Sequence, residues 1–158
     1  MPRRSIGIMI RLVHLLAVGA FAAGAFAQEN PSPSPAATES DVSARSKALE
    51  LAGAFSNDGY KIRDGYWPGE IEPDRPQFLE VNLFSGNEYW FSAAVNTPGR
   101  KIAVSVFNEQ GKPVDYQSYE DGQVAAAGLL PEVSGRYYVK LTLLEGEKAQ
   151  FCLLYSYK

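Results

Sequence analysis

From residue 79 to residue 157, apolar side chains return at every second position in short runs separated by turn residues. Leu79, Val81 and Leu83 alternate with Glu80 and Asn82 before Ser85, Gly86 and Asn87. Tyr89, Phe91, Ala93 and Val95 follow, up to the loop of Asn96, Thr97, Pro98 and Gly99. Ile102, Val104 and Val106 form a third run that stops at Asn108, Glu109, Gln110 and Gly111. A shorter run at Val114 to Tyr116 precedes a turn at Glu120, Asp121 and Gly122, and residues 124–129 form another. Tyr137, Val139, Leu141 and Leu143 make the clearest alternation, and a turn at Glu145, Gly146 and Glu147 leads to Ala149, Phe151, Leu153, Tyr155 and Tyr157. Period two puts successive side chains on opposite faces of a strand, so each run buries one face only. Many such runs with no helix between them predict an all-β, jelly-roll-like β-sandwich of seven to eight short antiparallel strands.

Before these runs the pattern differs. Residues 40–56 place Val42, Ala48, Leu49, Ala52 and Phe55 near a 3.6-residue period, with Ser40 or Asp41 as N-cap. This predicts one N-terminal amphipathic helix over 40–56, covering an open end or edge of the sandwich and ending at Ser56, Asn57, Asp58 and Gly59. Residues 60–78, interrupted by Pro68, Pro73 and Pro76, suggest a single irregular edge strand.

The first 27 residues have the three parts of a cleavable export signal. Arg3, Arg4 and Arg11 are basic, residues 12–23 are apolar, and Ala25 and Ala27 flank Phe26, which puts cleavage between Ala27 and Gln28. The apolar run is about a dozen residues, short of the roughly 20 that span a bilayer, so no stable membrane insertion is expected after cleavage. Residues 28–39 are rich in Pro and Ser and read as a disordered tether, leaving residues 40–158 as a single domain. The expected location is periplasmic or secreted.

Cleavage removes three of 15 basic residues and none of the 18 acidic ones, leaving a formal charge of −6. That balance, without a basic cluster, argues against nucleic acid as partner. The sole histidine, His14, lies in the removed segment. A mature chain without imidazole has no Ser-His-Asp or Cys-His nucleophile and none of the usual zinc sites. The single cysteine, Cys152, cannot form an intrachain disulfide, and its neighbours Phe151, Leu153 and Leu154 point to a buried thiol.

Three stretches then resemble the bacterial pre-peptidase C-terminal domain. They are FLEVNLFSGNEYWFSAAV with Gly86, Tyr89 and Phe91, IAVSVFNEQGKPV with Glu109 and Gly111, and SGRYYVKLTLLEGEKAQFCLLYSY with Ser134, Gly135 and Tyr137. The resemblance covers roughly residues 78–158 and implies a non-catalytic sandwich of secreted bacterial proteins, often appended to hydrolases. Where the family strand usually ends in Asp, this chain has Asn108.

Two groups of residues are candidates for a site. A row of rings able to stack on sugars would use Trp67, Trp90, Tyr116, Tyr119 and Tyr138, whereas the plainer reading packs Trp90 under the helix and lays Tyr138 over its sheet. No cofactor is required by any motif. Calcium is the one metal that the loop carboxylates Glu109, Asp115, Glu120 and Asp121 would suit, because it takes clustered oxygens. The expected function is a non-enzymatic binding or structural module of the cell envelope or extracellular space, with a protein or polysaccharide partner. The alternatives are a carbohydrate-binding module and an accessory subunit of a secreted hydrolase.

Overall fold

The computed structural model describes residues 39–158. The export segment, the cleavage residues Ala25, Ala27 and Gln28, and the tether short of Glu39 lie outside the described residues. The fold is a two-sheet antiparallel β-sandwich with one helix.

Helix α1 (Glu39–Ser56) starts with Glu39 and Asp41 in its first turn, where carboxylates offset the positive end of the helix dipole. It ends where the Asp58 amide donates to the Phe55 carbonyl at 3.0 Å. The strands are β1 (Lys61–Ile62), β2 (Trp67–Ile71), β3 (Gln77–Leu83), β4 (Tyr89–Val95), β5 (Lys101–Asn108), β6 (Gln117–Asp121), β7 (Val124–Leu129), β8 (Gly135–Glu145) and β9 (Ala149–Tyr157). The larger sheet runs β1-β9-β4-β7-β6, with β2 also on β9, and the smaller runs β3-β8-β5. From β2 onward, successive strands alternate between the sheets except at the β6–β7 hairpin, a jelly-roll-like order that departs from the jelly roll in placing β6 beside β7 in the larger sheet.

Inward-facing residues of the alternating runs meet between the sheets. Phe91, Ala93, Val95, Phe151, Leu153 and Tyr155 of the larger sheet face Leu79, Val81, Val104, Val106, Val139 and Leu141 of the smaller, all buried. Area removed from water at about 25 cal/mol per Å² makes this layer the main source of stability.

The helix departs from expectation in its place and in its face. It lies over the outer face of the larger sheet, where Ala44, Ala48 and Ala52 pack on Ala94, Cys152 and Leu154. Val42 and Leu49, expected to be buried, are exposed. The reason is the surface beneath. The outward positions of β4, β7 and β9 carry Ser92, Ala94, Ala126, Cys152 and Ser156, so a stripe of alanines approaches more closely than leucines would. The Ser92 and Ser156 hydroxyls are fully buried in this outer layer without a hydrogen-bond partner.

Two strand expectations also change. Residues 60–78 yield two short strands, β1 and β2, that share the edge of β9 on either side of residues 63–66. The short run at Val114 to Tyr116 is not a strand, and β6 begins at Gln117, runs through Glu120 and Asp121, and is exposed along its length. Its turn is the two-residue loop of Gly122 and Gln123, since Asp121 pairs with Val124.

Candidate functional site at one end of the sandwich

The loops between β3 and β4, β5 and β6, and β7 and β8 gather at one end of the sandwich with the β9 terminus. Backbone and side-chain bonds tie them together. The Ser85 amide donates to Ser134 Oγ at 2.8 Å, which joins the first loop to the third. Asn108 Oδ1 accepts from the Gln110 and Lys112 amides at 3.1 and 2.9 Å and shapes the second. Tyr137 donates its hydroxyl to the Val133 carbonyl at 2.8 Å, and Glu88 and Lys158 exchange backbone bonds at 2.9 and 3.1 Å.

Two clefts open here. The larger, about 570 Å³, is bounded by the loop carrying Glu109, the segment from Leu130 to Ser134, and Arg136. The smaller, about 530 Å³, lies between Tyr60, Glu88, Trp90 and Tyr116. They share Asp115, Leu129 and Leu130, so they form one trough. Leu130 is 62% exposed and Val133 70%, and Phe84, beside the Ser85–Ser134 bond, is 59% exposed. These values are far above those of a packed apolar residue, and Leu130 and Val133, which line the larger cleft, give the trough an apolar rim, whereas Phe84 is outside the lining of both clefts.

One wall of the smaller cleft is an ionic network. Tyr60 donates to Glu88 Oε2 at 2.6 Å, Lys158 Nζ lies 3.1 Å from the same oxygen, and Lys158 Nζ sits 4.4 Å from the Tyr60 ring centroid. The Tyr60 hydrogen bond, and then that from Lys158, hold the Glu88 carboxyl below its ordinary value. Burial, reinforced by donation to Glu88, raises the Tyr60 hydroxyl, and the bond to Glu88 raises the Lys158 ammonium.

The five candidate rings do not form a row. Trp67, at the start of β2, stacks on Tyr155 with centroids 5.5 Å apart and packs against the sandwich core. Trp90 stacks on Phe55 of α1 at 4.2 Å and 11°, and its other side lies over Gly128, where an added Cβ would come within 2.5 Å of the ring. Both faces of that indole are therefore covered, and only its edge reaches the smaller cleft. Tyr116 lines the same cleft while packing partly against the core. Tyr119 is exposed on β6, and Tyr138 lies on the outer face of the smaller sheet opposite Glu80 and Phe107.

The four candidate carboxylates are split as well. Glu109 and Asp115 line the larger cleft, together with Glu132. Glu120 and Asp121 close β6 at the opposite end of its pairing with β7. At about 3.3 Å per residue, Asp121 stands about 13 Å along the strand from Gln117, too far to join the first pair on one ion. Among the described residues no three Asp, Glu, His or Cys side chains converge on a position that could hold a metal.

Sequence reasoning did not single out Phe84, Glu88, Leu130, Glu132, Val133 or Lys158. Leu130 and Val133 did carry a signal: they are apolar residues in a Pro-containing loop just after a strand, where burial is not expected.

The class these features define is a jelly-roll-like antiparallel sandwich with a helix on one outer face and a rimmed trough at one end. No protein-family model matches the chain, and no curated protein matches it.

Proposed function

We propose that this chain is a non-catalytic binding module of the bacterial cell envelope or extracellular space, exported by its N-terminal signal, and that the end trough is its binding surface. The observation that carries the reading is the rim. Leu130 and Val133 are two of the most exposed large apolar residues among the described residues, and they stand together on a concave surface built by the β5–β6 and β7–β8 loops. Loops held on a rigid scaffold are where sandwiches place recognition, and exposed apolar clusters with polar surroundings mark interaction sites. A sandwich of the pre-peptidase C-terminal type belongs to the same proposal. It is supported by Gly86 and Gly111 at φ 93° and 73° in the turns that carry the resemblance.

Capture from an envelope extract tests the reading, with the purified protein as bait beside Leu130→Asp and Val133→Asp. The native protein should retain a partner that both variants lose, while Lys148→Glu, on the β8–β9 turn, keeps it. Equal capture by all four proteins would count against the trough as the binding surface.

A further inference from the structure

Resting on that reading, we infer that the trough takes a basic, amphipathic peptide segment of a partner protein. The geometry separates this occupant from the others the surface could be asked to hold. A sugar ring would stack on an aromatic face, but the one indole at the trough has Phe55 on one side and Gly128 on the other. The exposed apolar groups of the trough are instead Leu130 and Val133, which suit aliphatic and aromatic side chains of a peptide.

Charge gives the second half of the inference. The larger cleft is lined by the carboxylates of Glu109, Asp115 and Glu132 against one cation, Arg136. That guanidinium lies 3.5 Å by its Nε from Glu80 Oε1 on the smaller sheet and also feels the charge of Glu109, which leaves two of the three carboxylates without a cation of their own. In the smaller cleft Glu88 is matched by Lys158, and Asp115 stands between the two clefts. No cation of the described residues lies within ion-pair distance of Glu109, Asp115 or Glu132. The three carboxylates do not converge on one point. They would meet separate cations spaced along a chain, as lysines or arginines alternate with apolar anchors in an extended segment. An anionic lipid surface would be repelled by the same groups.

Fluorescence anisotropy of the purified protein with defined peptides tests this. The probes are fluorescein-labelled peptides of about ten residues, one alternating lysine with leucine, one alternating glutamate with leucine, and one of lysine alternating with serine. The lysine–leucine peptide should bind in the micromolar range and weaken as salt rises from about 50 to about 500 mM, and the other two should bind at least about tenfold more weakly. Glu109→Gln combined with Asp115→Asn should cost about tenfold for the lysine–leucine peptide, and Leu130→Asp should remove the roughly tenfold preference for the lysine–leucine over the lysine–serine peptide. All three substitutions are at exposed loop positions, and an unchanged circular dichroism spectrum certifies each fold. Equal binding of the glutamate–leucine peptide, or full affinity in the carboxylate double variant, overturns the inference. If no peptide binds while Leu130→Asp still loses its envelope partner, the peptide chemistry falls and the binding reading stands. If Leu130→Asp keeps that partner, the binding reading itself falls.

Discussion

At the scale of single residues, Gly128 is the position where one methyl group has the largest consequence. Its missing Cβ is the floor on which the Trp90 ring rests, and an alanine there would place a carbon 2.5 Å from that ring. Gly128→Ala should destabilise the protein by about 1–3 kcal/mol, because overpacking at a fixed contact forces ring or strand to move. Urea unfolding measures the loss, and a red shift of tryptophan emission reports Trp90 leaving Phe55. Ser156 makes the opposite case. Its hydroxyl is buried without a partner, an arrangement that costs about 1–3 kcal/mol relative to a satisfied group. Ser156→Ala should therefore leave the melting temperature unchanged or raise it, and a fall of several degrees would mean that the hydroxyl has a role in the fold. Glu88 sets a pH dependence. Its folded-state pKa is depressed by Tyr60 and Lys158, so its contribution is complete above the ordinary carboxylate range and is lost as pH falls through the lower folded value. Glu88→Gln should flatten the decline of the urea midpoint between about pH 6 and about pH 3, and an unchanged slope would remove Glu88 from the acid sensitivity.

At the scale of elements, α1 is held more weakly than any central strand. Its buried side chains are three alanines, packed on Ala94, Cys152 and Leu154, a far smaller apolar layer than the one between the sheets. Opening of α1 should precede global unfolding, with Cys152 beneath it as the reporter. Burial pushes the Cys152 thiol up to about 11, so a thiol reagent should react slowly at neutral pH while the helix is docked. Ala48→Leu, which forces the helix away from the sheet at about 1–3 kcal/mol, should accelerate labelling while β4, β8 and β9 keep their hydrogen-exchange protection. Labelling that tracked global unfolding in both proteins would refute a separate opening. The elements also show what the residues alone could reveal. β4, β8 and β9 were legible because their core-facing positions are apolar at every second residue, even though α1 also buries the outer face of β4 and β9, and the β7 run was legible from its bounding turns. β6 was not, because an edge strand exposed on every residue leaves no alternation to read. The buried face of α1 was hidden because alanine fits both a core and a surface, and the choice depended on the small residues of strands more than forty positions away. The candidate site suffered most. Neighbours in sequence such as Asp115 and Glu120 lie at opposite ends of a hairpin, while Glu88, Asp115 and Leu130 meet only through the sandwich's crossings.

At the scale of the whole molecule, most partners in the sheets are distant in sequence. β1 and β2 close on β9, β3 pairs with β8, and β4 pairs with β9. Loop-closure entropy must be overcome before such pairs form, so refolding should take milliseconds to seconds, as stopped-flow tryptophan fluorescence would show. A microsecond phase carrying the full amplitude would be incompatible with this topology. The alanine seam under α1 has a mechanical consequence too. Tension applied through the residues before Glu39 reaches α1 first, and the seam opens one methyl group at a time, whereas the strands behind it resist as ladders of hydrogen bonds. A stretched molecule would yield in two steps, an early low-force release of about 60 Å of chain from the 18 residues of α1 and a later rupture of the sandwich. Under load the helix would act as a mechanical fuse, extending the molecule and drawing Phe55 off Trp90 while the loop ties around the larger cleft hold.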